Sequence, residues 1–246
     1  MAARATEASE HGDATCWGGS IAPGAYSNLK IAGACNADAG PVKVKDELTV
    51  LPGGILIASF GGSDVTVRGD VEVKSNGVLV LGCEPVNYIC SNDPDQKIGS
   101  FFTRDHVGGD IRAEDALTVI VHLTVIGRDV SLYGGGGGVS CASPVPAIAS
   151  PPYGDFEDNV IGGDLKINGW QACWLGVFRD AVAHNVEFND NVTADPDGNE
   201  LGTNSIVGDL NCARNSPSPQ VGDSGGSLNN VFGRAKGQCN NPNLVR

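Results

Sequence analysis

The chain has 246 residues, a net charge of −13, 35 glycines and a single methionine. Its apolar runs are strand-sized, residues 78–81 being typical, so no segment is long enough to cross a membrane as a helix, and a single elongated domain accommodates the length. The acidic balance, with no Lys/Arg cluster in the sequence, excludes nucleic acid and membrane insertion and leaves neutral glycans, cationic groups or bound cations as expected partners.

In chain order, residues 1–26 form an N-terminal segment and cap. Met1 to Asp13 lacks the basic and apolar regions of a signal peptide and reads as an initiator methionine placed before a mature terminus, with any export signal already removed. From residue 27 to 239 the sequence reads as one parallel β-helix, and 240–246 as a tail. Within it a pattern of apolar, two spacers, acid or amide, apolar, any, apolar recurs seven times, at 44–50, 67–73, 107–113, 126–132, 161–167, 182–188 and 206–212. The steps are 23, 40, 19, 35, 21 and 24 residues, so one copy marks one coil and the long steps carry insertions. Three inserted loops follow, 82–106, 133–158 and 190–205. They are expected to leave one edge, with Tyr88, Phe101, Phe102, Tyr133, Tyr153 and Phe156 either walling a groove or pinning the loops down.

The fold class expected is therefore all-β: a single parallel β-helix of about seven to nine coils, with the three loops and terminal disulfide caps. Positions five and seven of each copy point inward and position six outward, by the two-residue period of a strand. Glycine at position three fits a turn with positive φ, and the acid or amide at position four can bond local backbone. Eight cysteines without paired CxxC motifs read as disulfides in a secreted, extracellular protein. Spacing places Cys16 with Cys35, Cys83 with Cys90, Cys141 with Cys173 and Cys212 with Cys239, one connectivity among the many that the sequence leaves open.

The repeat resembles that of small secreted bacterial right-handed parallel β-helix proteins with V-x-G-N/D-V coils, and more distantly the pectin-lyase-like superfamily. Residues 207–219 (VGDLNCARNSPSP) and 237–239 (GQC) carry the likeness best, and it extends over most of the chain from about Leu29. The resemblance implies a right-handed coil stack and a terminal disulfide. It carries no catalytic pattern, because its motifs specify coils rather than chemistry. Arg128 and His184 depart from its position-three glycine.

Position four forms a column of Glu47, Asp70, Asp110, Asp129, Asp164, Asn185 and Asp209. A turn-capping ladder explains it, and pairs of carboxylates at coil spacing would also suit a glycosidase. The sharper candidate is the pair Arg128 and His184, on either side of Gly163. With Asp129 and Asp164 they place an imidazole, a cation and two carboxylates on one surface, either as catalytic groups or as charges relieving the acidic column. Beside them the ligand-binding candidates are Arg112, Lys166 and Glu187 at position six, where Glu72 and Arg112, and Lys166 and Glu187, are expected to pair across strands. Glu114, Tyr133, Asn168 and Asn189 follow two residues on.

Other features are plainer. Gly134 to Gly138 lacks the Lys-Ser/Thr of a phosphate loop and reads as a flexible loop start, and His122 reads as a satisfied strand residue. Asp93, Asp95, Asp195, Asp197 and Asn199 are candidate Ca²⁺ ligands without EF-hand spacing, and otherwise no metal or cofactor is expected. Asn191-Val-Thr193 is a glycosylation sequon in a host that glycosylates. The function expected is binding of, or action on, an extended carbohydrate ligand in a polar groove walled by the loops. If the chain is an enzyme, the chemistry is that of an acid–base lyase, isomerase or glycoside hydrolase. The alternative is a non-catalytic structural or adhesive envelope or matrix solenoid.

Overall fold

The computed structural model describes residues 10–60, 63–82, 105–142, 145–148 and 150–246. Every regular element among them is a β-strand. Three parallel sheets take up almost all of them. The first has ten strands, from Glu10–His11 to Asn230–Val231; the second has ten, from Ala14–Cys16 to Ala235–Gly237; the third has eight, from Gly19–Ser20 to Asn199–Gly202. The chain visits first, second and third sheet in turn, the winding pattern of a parallel β-solenoid. Alternation fixes the interior: in Val71–Val73 and Leu165–Asn168 the apolar positions are buried while the residues between them are partly open. Inward residues of all three sheets form one continuous core that includes Phe156, Trp170 and Phe188.

All seven copies of the repeat stack in register. Leu48 pairs with Val71, Val71 with Ile111, Ile111 with Val130, Val130 with Leu165, Leu165 with Val186, and Val186 with Leu210. The first two sheets contain three further strand pairs that the repeat did not mark. Tyr26 and Leu29, aligned with Val44 and Leu48, are separated by two residues instead of three, as are His11 and Ala14. The last of these coils has Arg234 at position four.

The position-three glycines correct the turn chemistry expected of them, since none of Gly69, Gly109, Gly163 and Gly208 has a positive φ. They are needed for closeness: a Cβ on Gly109 would run into the Asp70 carboxylate, and one on Gly163 into Asp129. Left-handed backbone sits at the other corners, at Leu123, Asp158, Arg179 and Thr203 between third and first sheets and at Asp190 and Arg214 after the second. The residue after each supports a column of its own. Buried Asn159, Asp180, Asn204 and Asn229 accept, in order, the backbone N–H of Thr124, Asn159, Asp180 and Asn204. Asn159, Asn204 and Asn229 also donate to carbonyls of the preceding coil.

The three segments read as insertions do not leave one edge. Segment 82–106 follows the third-sheet strand Val78–Leu81, whereas 133–158 and 190–205 follow second-sheet strands. The latter two each contain a strand of the third sheet, Tyr153–Glu157 and Asn199–Gly202, so Tyr153 and Phe156 are buried sheet residues rather than groove walls. Tyr88, Phe101, Phe102, Asp93, Asp95, Cys83 and Cys90 lie outside the described residues. The glycine run is pinned rather than slack. All five glycines have positive φ, and Gly134, Gly136 and Gly138 donate to Asn168, Ala116 and Gln171 of the flanking coils. Beyond the run, Val145 and Ile148 pack on an apolar outer patch of the third sheet, Ile57, Val78, Val80 and Ile120.

Disulfides join Cys16 to Cys35, Cys141 to Cys173 and Cys212 to Cys239. Three such bonds mark an oxidising environment. No helix among the described residues is long and apolar enough to cross a membrane.

Candidate functional site

The corner between first and second sheets brings the expected residues together. Gly163 N–H donates to the Arg128 carbonyl at 3.0 Å and His184 N–H to the Gly163 carbonyl at 3.2 Å, so the three stack in successive coils. The Arg128 and His184 side chains are exposed, and neither forms a hydrogen bond or ion pair with a described residue. They do not pair with the acidic column. That task falls to other cations: Arg112 bonds Asp70 at 2.7 Å and also Asp110, Lys166 bonds Asp164 at 2.9 Å, and Lys236 bonds Asp209 at 2.6 Å. The cross-strand pairs expected at position six are replaced accordingly, with Glu72 joined to Lys74 instead of Arg112. A position-six cation lies two residues from its own coil's column acid, close enough to bond it directly.

The column is a hydrogen-bonded ladder. Asp70 Oδ1 accepts the Asp110 N–H, Asp110 that of Asp129, Asp129 that of Asp164, and Asp164 that of Asn185, each at 2.9 Å. Asn185 and Asp209 continue it to Asp209 and Arg234. Each carboxylate thus has one oxygen committed to the next coil's backbone. Partial burial would raise the Asp164 carboxyl, but hydrogen bonds from Lys166 and Asn185, with the Lys166 charge, bring it below its ordinary value. Asp70 is lowered in the same way against its own burial, by the Asp110 N–H, by Arg112 and, through space, by Arg128. Both stay ionised at neutral pH, which suits anchoring and charge balance rather than proton donation.

Next to this corner the second sheet presents two aligned rows outward. Arg112, Ser131, Lys166 and Glu187 are neighbours in one, and Glu114, Tyr133, Asn168 and Asn189 in the other. Tyr133 is 49% exposed, and Asn189 Nδ2 donates to Asn168 Oδ1 at 3.0 Å. The result is a polar strip with one aromatic ring, repeated at coil spacing.

His122 belongs elsewhere, on the outer side of the third sheet. It is 2% exposed, and its Nε2 lies 3.0 Å from Asp155 Oδ2. Burial alone would lower the imidazole, but the charge and hydrogen bond of Asp155, with Glu157 and Asp158 nearby, raise it to about 9. Arg179 clamps Glu157 and Asp158 of the preceding coil. Donor atoms of His122, Asp155 and Glu157 lie within 4.8 Å of one another. Those charges are already matched, acid to imidazolium and acid to guanidinium. His122 is a satisfied strand residue, as its place in an apolar run suggests, but its partners Asp155 and Glu157 are not evident from sequence alone. What signal they leave is the alternation of Tyr153, Asp155 and Glu157 outward with Gly154 and Phe156 inward.

Of the other oxygen candidates, Asp197 comes within 4.8 Å of Glu200 and Asp223, whereas Asn199 is a buried strand residue bonded to backbone carbonyls. Glu200 is itself buried and bonded by Trp174 Nε1 at 2.8 Å. Asn191 is fully buried in a column of its own, accepting the Trp170 N–H and donating to the Ile167 carbonyl, so its sequon is closed in the folded chain. Compared with known proteins, the chain matches no protein-family model, no curated protein and no solved structure.

Proposed function

We propose that this chain is a secreted solenoid that binds an extended, carbohydrate-type ligand along the outer face of its second sheet, without catalysis and without a cofactor. In this reading the winding is right-handed, as parallel β crossovers overwhelmingly are, and its kin are the small secreted bacterial β-helix proteins that its repeat resembles. The observation that carries the proposal is a contrast in commitment. Every acid of the column from Asp70 to Asp164 has an oxygen held by backbone, while the exposed Tyr133 is in register with Asn168 and Asn189 at the far end of the same strands, whose near end carries the exposed Arg128 and His184. An aromatic ring with donors and acceptors on a rigid sheet binds sugar hydroxyls, whereas a lowered carboxyl such as Asp164 is a poor proton donor.

The test is affinity electrophoresis through gels containing single neutral polysaccharides. At least one should retard the protein, and Tyr133→Ala with Asn168→Ala should weaken that retardation tenfold or more. Cleavage of the retained polysaccharide, lost in Asp164→Asn, would instead establish the acid–base enzyme.

A further inference from the structure

A separate feature lies on the outer side of the first sheet, toward its N-terminal end. A concavity of about 460 Å³ is lined by Ala25, Tyr26, Lys43, Lys45, Thr66 and Arg68. Lys43 stands in register between Ala25 and Thr66 on neighbouring strands. Lys45 and Arg68 follow one coil apart, their N–H groups donating to the Tyr26 and Val44 carbonyls at 2.9 Å each. The sequence scatters these cations over 26 positions, which hides the cluster. Folding gathers all three on one wall.

Among the described residues Arg128 and Lys30 are unpaired as well, but here three unpaired cations line one concavity. Arg112, Lys166, Arg179, Arg214 and Lys236 all form ion pairs, in keeping with a chain of net charge −13. Lys43, Lys45 and Arg68 form no ion pair or side-chain hydrogen bond with any described residue, although Asp46 adjoins Lys45 and Asp64 lies on the strand of Thr66. Like charges at coil spacing repel one another, and a bound anion would relieve that repulsion. Thr66 contributes a hydroxyl. Two ammonium groups, a guanidinium fork and a hydroxyl next to the small Ala25 make a receptor for an oxyanion with several acceptor atoms. We propose that this concavity binds a tetrahedral oxyanion, sulfate or phosphate, either free or as an ester on a glycan. Because the chain as a whole repels anions, binding of this kind depends on the local cluster rather than on net attraction.

Isothermal titration calorimetry at low ionic strength tests this with sodium sulfate, sodium phosphate, dextran sulfate and unsulfated dextran. Saturable binding of a sulfate or phosphate probe, weakening as salt is added, is the expected result. Binding of the inorganic ions assigns the free anion, and binding of dextran sulfate alone assigns the ester. The triple variant Lys43→Gln, Lys45→Gln, Arg68→Gln should lose at least tenfold in affinity. A control with the same change in charge, Lys30→Gln, Arg234→Gln, Lys236→Gln, should stay within twofold. Should the triple variant lose its strand circular dichroism, Lys43→Gln and Arg68→Gln tested singly decide the matter, each with at least a threefold loss. The proposal is overturned if no anionic probe saturates, if the triple variant binds the anionic probe as tightly as the parent, or if both triple variants weaken binding equally; binding of unsulfated dextran that the triple variant keeps belongs to the second sheet.

Discussion

The corner of the second sheet and the outer side of the third solve the same problem in opposite ways. Both stack acids on successive coils of one solenoid. At the corner, the carboxylates from Asp70 to Asp164 each accept a backbone N–H, and all but Asp110 are partly open to solvent, so each charge is shared between backbone and, at Asp70, Asp110 and Asp164, a partly exposed cation: Asp129 bonds the Asp164 N–H at 2.9 Å. On the third sheet, Asp155 is 1% exposed and its partner is the equally buried imidazole of His122. Partly exposed carboxylates in a ladder are individually replaceable, while a desolvated pair stands or falls together. Position in the stack, more than residue type, therefore decides what an acid contributes.

The largest effect should come from breaking the buried pair. Asp155→Ala leaves His122 to lose its proton or remain charged without its nearest acid, at a cost of about 3 kcal/mol in urea unfolding at pH 6. A loss as small as that of a ladder residue would remove the distinction between the regions.

The same pair sharpens the comparison through pH. His122 has a folded pKa of about 9 against an ordinary 6.5. Its contribution is therefore complete below pH 6.5 and is lost as pH rises through 9, on the order of 3 kcal/mol over that window. Asp180, raised well above its ordinary value by burial, works in the same direction from a lower starting point. It occupies a place in a column otherwise filled by Asn159, Asn204 and Asn229, so Asp180→Asn should raise stability at neutral pH and remove its share of the decline. Denaturant midpoints measured from pH 5 to 9.5 on the parent, Asp155→Asn and Asp180→Asn separate the two groups. A flat profile in the parent would show that neither is perturbed.

In the column, Asp129→Ala should cost about 1 kcal/mol, the net worth of one backbone-to-carboxylate bond that is partly open to water. Asp129→Asn should recover most of it, because the amide oxygen accepts the same N–H, as Asn185 does for Asp209. Hydrogen exchange at Asp164 should rise in the alanine variant and not in the asparagine one.

What the sequence made legible follows this division. The second sheet could be read because its marker, an acid or amide just before an inward-outward-inward triplet, lies within seven consecutive residues and keeps its spacing at seven of the ten coils; it was lost where the corner is one residue shorter, before Ala14 and Leu29, and where Arg234 takes the acid's place. Cys16 and Cys35, Cys141 and Cys173, and Cys212 and Cys239 pair as their spacing suggested. The third sheet has no such marker: its strands are apolar on both faces at Val78–Leu81 and polar outward at Tyr153–Glu157, at varying distances from the preceding coil. The acid and amides of the other corner did leave a trace, since Asn159, Asp180 and Asn204 each stand two residues ahead of an apolar position one. It reads as ordinary turn chemistry until the coils are stacked. His122 and Asp155 are 33 positions apart with the glycine run and its excursion between them, so only folding discloses their pairing.

The smallest effect expected concerns the two residues most exposed to function. Arg128 and His184 occupy a column in which Gly109, Gly163 and Gly208 also stack, and their backbone groups, not their side chains, bond the neighbouring coils. Replacing either with glycine keeps every one of those bonds and removes an exposed side chain without a described partner. The cost is the added freedom of the unfolded chain, so His184→Gly should stay within about 1 kcal/mol of the parent. Arg128→Gly adds only the loss of its through-space charge at Asp70, which Arg112 already holds directly. Binding to the polysaccharide that retards the parent should nevertheless weaken at least threefold in each. Unfolding by several kcal/mol with unchanged retardation would make both residues structural and move the ligand off this corner.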